Sequence, residues 1–160
     1  MPDIWSPEKR SEVMSRIRGV DTGPELALRH CLHAMGYRYR LHPSGVPGRP
    51  DVVFPRDRLV VFVHGCFWHG CPKHYSPPRS RARFWRRKLL ENRRRDARVR
   101  RELKRSGWSL IEFWEHEVES DPARRAQEVT VALARLRRAL SGSRVQGTRR
   151  GGVGRHSRFE

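Results

Sequence analysis

The eleven-residue segment from His64 to His74 constrains the fold of this chain more than any other part of the sequence. It contains three histidines, two cysteines and two large aromatic residues, and it directly follows the apolar run Leu59 to Val63. A short, valine-rich run of this kind predicts a buried strand. Imidazoles and thiolates at close spacing are typical ligands of a tetrahedral zinc ion. We therefore expect a metal-braced loop at the end of a strand.

The spacing of this segment predicts most of one zinc site. Cys66, Cys71 and His74 would supply three ligands, and His116, which follows the last predicted strand, is the best candidate for the fourth. A closed site of four protein ligands would be structural rather than catalytic. The alternative is a buried cysteine pair with histidines on the surface.

The composition points to a polyanionic partner. The chain has 160 residues, enough for one domain with a hydrophobic core. Its 35 Lys and Arg residues against 17 Asp and Glu give a formal net charge of +18. Such an excess favours nucleic acid as the partner over a membrane surface.

Cysteine usage and hydropathy predict the compartment. The sequence contains no apolar run near the roughly 20 residues of a membrane span, and its first residues do not resemble a signal peptide. We therefore expect a cytoplasmic protein without a membrane partner. Thiols stay reduced there, which favours a metal over a disulfide for Cys66 and Cys71. Cys31 belongs to an apolar helical stripe and is expected in the core.

The pattern along the chain predicts an α/β domain over residues 1–140. Residues 141–160 are mainly Gly, Ser and Arg, and we expect this basic tail to be disordered. The strands are expected at Tyr37 to Leu41, Asp51 to Phe54, Leu59 to His64 and Ser109 to Trp114. The helices are expected from Ser6 to Gly19, Thr22 to Gly36, Arg81 to Ser106 and Pro122 to Leu140.

One carboxylate and two histidines are expected to face a common point. Asp51 begins a predicted strand, His64 ends the next strand, and His69 follows closely. A carboxylate suits Mg²⁺, and a nearby histidine can accept a proton from an attacking water. These are the requirements of phosphodiester hydrolysis, although an Asp after Pro is commonly only a turn residue.

Glu25 has two possible roles. Thr22 and Glu25 are spaced as a helix capping box, in which the glutamate only accepts a hydrogen bond at the helix start. The pattern favours this cap. The alternative is a carboxylate that holds water near a metal ion.

The longest basic segment and the aromatic pair both suggest contact with DNA. Residues 79–105 contain 14 Arg and Lys against three acidic residues, which favours phosphate contact over a merely solvated helix face. Phe67 and Trp68 can form a wedge that enters a duplex beside a weakened base step, or they can be buried in the core.

Several motifs, taken together, resemble one family. They are Asp21-Thr22 with Glu25, Pro47-Gly48-Arg49-Pro50-Asp51, His64-Gly65-Cys66-Phe67-Trp68-His69, Phe84-Trp85, and Gly107-Trp108 leading to Trp114-Glu115. From about Ser6 to Leu140 the chain resembles the very short patch repair endonucleases of bacteria.

The resemblance implies a fold, an activity and a partner. The implied fold is a restriction-endonuclease-like α/β/α core with a mixed central sheet and a zinc-braced loop. The implied activity is Mg²⁺-dependent nicking on the 5′ side of the thymine in a T:G mismatch that arises when 5-methylcytosine is deaminated. The implied partner is double-stranded DNA carrying that mismatch, with a functional link to a cytosine-5 DNA methyltransferase. An asymmetric lesion fits a monomeric enzyme.

The resemblance also assigns roles to residues of the predicted cleft. Asp51 would bind Mg²⁺, His69 would be the general base, and His64 and Glu25 would assist. Phe67, Trp68 and Trp85 would form the DNA wedge. Cys66, Cys71, His74 and His116 fall on positions where the family has zinc ligands.

The chain departs from its relatives at two positions of this site. Val63 stands where well-known members have Thr, and Phe62-Val63-His64 replaces the Glu-x-Lys element of the wider fold. Two other functions therefore stay open. One is a zinc-braced protein that binds distorted DNA without cutting it, and the other is a nuclease of the same fold with a different target.

Overall fold

The computed structural model describes residues 20–147, and the side chains of 20–141. The helix expected from Ser6 to Gly19 lies outside the described residues. Eight elements follow in chain order: α1 (Gly23–Ala34), β1 (Val52–Phe54), β2 (Leu59–His64), α2 (Cys66–His69), α3 (Ala82–Arg105), β3 (Ser109–Trp114), α4 (Glu115–Ser120) and α5 (Pro122–Gly147).

The three strands form a mixed sheet in the order β1-β2-β3. Strands β1 and β2 pair antiparallel, with Val53 opposite Val60. Strands β2 and β3 pair parallel, with His64 opposite Trp114. A parallel neighbour requires a long crossover, and α2 and α3 provide it. The predicted mixed sheet is confirmed.

Helices cover both faces of this sheet because alternate strand residues point to opposite sides. On one face, residues such as Val52 and Val61 pack against α1, α4 and α5, whose buried positions include Leu28, Val118 and Leu133. On the other face, Val53 and Val60 pack against Leu103 of α3. The result is an α/β domain of three layers.

Four expectations about the elements need correction. The strand predicted from Tyr37 to Leu41 is reduced to one bridge between Arg40 and Val53, because a stretch rich in Pro and Gly follows at once. A helical turn, α2, occupies part of the predicted loop, and α4 follows β3 directly. Helix α5 extends to Gly147, so the expected tail boundary at residue 141 falls inside the helix.

Other predictions are confirmed. Strands β2 and β3 have the predicted bounds, and α3 lies within the predicted range. Cys31 is half-buried and packs against the larger core cluster. Among the described residues, no helix is long and apolar enough to cross a membrane.

Candidate active site and metal cluster

Helix α2 divides the segment His64–His74 between two sites. Strand β2 ends at His64, and a single helical turn runs from Cys66 to His69 before Gly70 ends it with a φ of +68°. Glycine adopts this left-handed conformation without strain. The chain then turns back, and the Cys71 amide donates to the Cys66 carbonyl at 2.9 Å. The two cysteines therefore lie side by side.

The four predicted zinc ligands form one cluster. Their ligand atoms all lie within 4.8 Å of one another. His116 Nδ1 lies 3.1 Å from Cys66 Sγ and 3.7 Å from Cys71 Sγ, and His74 Nδ1 lies 3.9 Å from Cys71 Sγ. Ligand atoms of a tetrahedral zinc ion lie about 3.3–3.8 Å apart. The residue types and their spacing fit zinc.

His116 reaches this cluster from the neighbouring strand β3, which ends at the same edge of the sheet as β2. Glu117 Oε2 accepts a hydrogen bond from the Trp114 amide at 2.9 Å, so α4 begins directly after β3 and carries His116 in its first turn. Glu115 Oε1 accepts a hydrogen bond from the Cys66 amide at 2.7 Å and thereby joins α4 to α2.

The electrostatics of the cluster favour a bound cation. Burial raises the pKa of the Cys66 thiol to about 11, and the neighbouring Cys71 and Glu115 add to this effect. A thiolate at this position therefore needs a positive charge beside it. A zinc ion would supply that charge and bind the thiolates directly.

The predicted catalytic residues lie on the other side of α2, in a cleft of about 580 Å³. Strand β2 contributes His64, α2 contributes His69, and the bend before β1 contributes Asp51. Helix α1 contributes Glu25 to the same cleft. The structure thus brings together the four side chains that the sequence predicts for the active site.

Asp51 is the buried carboxylate of this cleft, with 8% of its surface exposed. Burial raises its pKa to about 6, and the negative charge of Glu25 acts in the same direction. The Val63 amide opposes this shift by donating to Asp51 Oδ2 at 2.7 Å. A cation bound beside Asp51 would stabilise the ionised form of this buried carboxylate.

The departure at Val63 is harmless for this contact. The hydrogen bond to Asp51 comes from the backbone amide of Val63, and its side chain takes no part in it. Valine therefore supports the carboxylate as well as threonine would.

Each cleft histidine has its own carboxylate partner. His69 Nδ1 lies 2.6 Å from Asp96 Oδ2, and His64 Nε2 lies 2.8 Å from Glu112 Oε1. The two imidazole rings have centroids 4.4 Å apart. Burial acts to raise the pKa of Asp96, but its hydrogen bond to His69 and the nearby histidine charges lower it overall.

Glu25 accepts hydrogen bonds from the residues just before α1 while it lines the cleft. It accepts hydrogen bonds from the Thr22 hydroxyl at 2.8 Å and from the Asp21 amide at 2.9 Å. Arg29 Nη2 also lies 3.2 Å from the Glu25 carboxylate. The predicted capping box is not formed: the Thr22 side chain makes no cap hydrogen bond to the backbone, and Glu25 accepts from the amide of Asp21 rather than that of Thr22.

The three predicted wedge residues form one aromatic cluster. The ring centroids of Phe67 lie 5.2 Å from Trp68 and 5.3 Å from Trp85, and the two tryptophans lie 6.0 Å apart. All three side chains are half-buried. The buried Asn92 of α3 donates to the Trp68 carbonyl at 2.8 Å and fixes α2 against α3.

Sequence reasoning missed the carboxylate partners of the histidines. Asp96 is one of three acidic residues in a very basic helix, and Glu112 is a charged residue within an apolar strand. Both exceptions to the local pattern are signals that could have identified them. Arg100, which binds Glu112 through Nε at 2.9 and 2.8 Å, was indistinguishable from its many basic neighbours.

Comparison with known proteins decides the family. The family described as DNA mismatch endonuclease Vsr matches residues 2–75. The Type II nicking enzyme V.XorIIP of Xanthomonas oryzae pv. oryzae is 46% identical over 119 residues, which cover 74% of this chain and 88% of that protein. The chain belongs to the Vsr family of DNA mismatch endonucleases.

Further relatives agree. The Type II nicking enzyme V.NmeAIP of Neisseria meningitidis is 39% identical over 75% of this chain and 86% of its own length. The DNA mismatch endonuclease Vsr of Escherichia coli is 36% identical over 72% of this chain and 74% of its own length. As a member of the Vsr family, the protein is an endonuclease that acts on DNA.

Proposed function

We propose that this protein nicks one strand of duplex DNA on the 5′ side of the thymine in a T:G mismatch, in a Mg²⁺-dependent reaction. Such mismatches arise when 5-methylcytosine is deaminated, and the nick would initiate very short patch repair. The observation that carries the proposal is the cleft itself, where a buried carboxylate lies with two histidines that each have a carboxylate partner.

Asp51 is the proposed Mg²⁺ ligand. Its carboxylate is buried, its orientation is fixed by the Val63 amide, and burial, together with the negative charge of Glu25, raises its pKa. A bound Mg²⁺ would polarise the scissile phosphate and lower the pKa of water. Glu25, which lines the same cleft, adds negative charge near this position.

His69 is the proposed general base. Its Nδ1–H donates to Asp96, whose lowered pKa keeps it ionised. This leaves Nε2 as the nitrogen that accepts a proton from the attacking water. Hydrolysis would leave a 5′-phosphate and a 3′-hydroxyl. His64 assists from 4.4 Å away, measured between ring centroids.

The aromatic cluster is the proposed reader of the mismatch. Phe67, Trp68 and Trp85 contact one another at the end of α3, beside the cleft-facing His69. Unstacking a base step costs a few kcal/mol, and a mismatched step costs less. Insertion of these rings would therefore favour mismatched over paired DNA.

Zinc is the proposed support for this aromatic helix. The cluster of Cys66, Cys71, His74 and His116 encloses both ends of α2, which carries Phe67 and Trp68. A metal ion there would hold the aromatic residues rigid before DNA binds. It would take no part in hydrolysis, because all four positions are protein ligands.

Helix α3 supplies the proposed phosphate contacts. Most of its arginines are exposed; within the helix Arg87 pairs with Glu91 and Arg98 with Glu102, and Arg100 pairs with Glu112 of β3. The unpaired charge would bind phosphates and release counterions, so affinity should fall steeply with salt. This contribution to affinity is independent of the DNA sequence. One copy of the protein is enough to make these contacts.

The decisive experiment is a cleavage assay on duplexes that differ at one base pair. A T:G duplex, in several flanking contexts, is compared with T:A and C:G duplexes at equal salt, with each strand labelled separately and with or without Mg²⁺. We expect a nick in the T strand alone, on the 5′ side of the thymine. Asp51→Ala should abolish the nick and preserve binding.

Other outcomes would favour other functions. Tight binding to T:G without a nick in any context would favour a protein that recognises distorted DNA. Equal cutting of mismatched and paired duplexes would favour a same-fold nuclease with another target. A nick in a context methylated at cytosine by a known enzyme would support the link to a cytosine-5 DNA methyltransferase.

A further inference from the structure

Glu112 of β3 reaches the cleft because of the strand register. In the parallel pair, Glu112 lies opposite Phe62, two residues before His64 on the neighbouring strand. Residues two apart point to the same side of a sheet. Glu112 therefore reaches His64 Nε2 at 2.8 Å, while the Phe62 ring stacks at 5.8 Å from the His64 ring with an interplanar angle of 7°.

The Glu112 carboxylate is held firmly in its ionised form. Burial acts to raise its pKa, but hydrogen bonds from His64 and Arg100 outweigh burial and lower the pKa to about 2. Arg100 Nε contacts both oxygens of the carboxylate, at 2.9 and 2.8 Å. An ionised carboxylate can only accept hydrogen bonds. His64 must therefore donate through Nε2–H.

The two cleft histidines thus use opposite nitrogens. His69 contacts its carboxylate through Nδ1, and His64 contacts Glu112 through Nε2. A carboxylate partner fixes the tautomer and the ring orientation of a histidine. Glu112 leaves Nδ1 of His64 as the nitrogen able to meet a substrate oxygen or a water.

We infer that Glu112, held by Arg100, is a positioning residue that fixes the ring orientation and the tautomer of His64 for cleavage. This inference rests on the proposed function, in which His64 assists His69. Glu112 itself acts through His64 and is not a catalytic residue. Arg100 acts one step further away, by holding the carboxylate in place.

The test is a double-mutant cycle measured as single-turnover nicking of a T:G duplex at one fixed pH. Glu112→Leu should slow nicking about tenfold, the lower end of what losing such a partner costs. In a His64→Ala background, Glu112→Leu should slow nicking no further, because its target is gone. Glu112→Gln keeps an oxygen that accepts from Nε2–H and should restore most of the rate.

A spectroscopic readout separates positioning from a general loss of structure. Long-range ¹H–¹⁵N spectra should show His64 as the Nε2–H tautomer in the wild type and in Glu112→Gln, and a mixture in Glu112→Leu. The matched control is Glu128→Leu, which breaks a glutamate–arginine pair at 2.9 Å on α5, away from the cleft. It should leave the nicking rate unchanged.

Each result has one meaning. If Glu112→Leu slows nicking equally with and without His64, or leaves both the rate and the tautomer unchanged, the positioning role is wrong. If His64→Ala slows nicking and Glu112→Leu does not, the inference fails while the proposed function stands. If the wild type does not nick T:G, or if Asp51→Ala still does, the proposed function fails first.

Discussion

The metal cluster and the cleft both take residues from the segment His64–His74, yet they differ in the partners of their histidines. In the metal cluster, the hydrogen-bond contacts of His74 and His116 go to cysteine sulfur. In the cleft, His64 and His69 contact carboxylates. Thiolate and imidazole ligands together suit a zinc ion, whereas a histidine that donates to a carboxylate keeps its other nitrogen free to accept a proton.

Helix α2 creates this difference. Its single turn, Cys66–His69, is flanked by Gly65 and Gly70, and it directs cysteines to one side and His69 to the other. One short segment can therefore serve a structural site and a catalytic site at once. A substitution in the metal cluster should lower the zinc content, whereas a substitution in the cleft should lower the nicking rate and leave the zinc content unchanged.

The largest expected effect is loss of the metal cluster. Cys66→Ser should remove zinc and much of the stability, because a structural zinc site contributes on the order of 10 kcal/mol of binding energy to folding. Zinc content by metal analysis and the thermal melting temperature would measure this. Cys31→Ser, outside the cluster, is the matched control and should keep its zinc. Full zinc content in Cys66→Ser would refute the ligand set.

The next effect tests the cleft. His69→Gln should lower the single-turnover nicking rate by about 10²–10⁴-fold, the range for loss of a general base. Its zinc content should equal that of the wild type. His74→Gln should do the reverse and lose zinc, since His74 belongs to the cluster. If His69→Gln released zinc, the two sites would not be separate.

A pH effect on stability should distinguish the buried carboxylate. The pKa of Asp51 is raised from 3.8 to about 6 in the folded protein, so ionisation opposes folding as the pH rises through this range. At pH 8 without added Mg²⁺, Asp51→Asn should therefore be more stable than the wild type, by up to about 3 kcal/mol.

Denaturant unfolding at pH 4 and pH 8 would measure this difference, which should shrink towards pH 4. The control is Asp57→Asn. Asp57 is also buried but is paired with Arg137 at 2.8 and 2.9 Å, so its substitution should give no such gain. Equal stability of Asp51→Asn and wild type at pH 8 would argue against the raised pKa.

The smallest expected effect concerns the partner of His69. Asp96→Asn keeps the shape of the side chain but removes the charge that orients the imidazole. We expect a decrease of about tenfold in the single-turnover nicking rate, without loss of zinc. A rate equal to that of wild type would mean that the hydrogen bond to Asp96 is dispensable for cleavage.

Regular elements and local ligand spacing could be read from the sequence because they depend on neighbouring residues. The valine-rich run 59–64 and the run 109–114 became strands with the predicted bounds. The stretch 37–41 has similar residue types but forms only one bridge. The prolines and glycines that follow limit its pairing. The residue types of the stretch do not by themselves show whether these breakers outweigh its strand propensity.

The sequence by itself determined the family and the mixed α/β layout, and it predicted four zinc ligands and four cleft residues, because each depends on residue types at short spacing or on motifs. Only the tertiary structure decided which carboxylate each histidine contacts. His64 and Glu112 are separated by 47 intervening residues, as the sequence shows. The register of β2 and β3 brings His64 to Glu112, and the position of α3 brings His69 to Asp96. A local sequence pattern encodes neither the register nor the position of the helix.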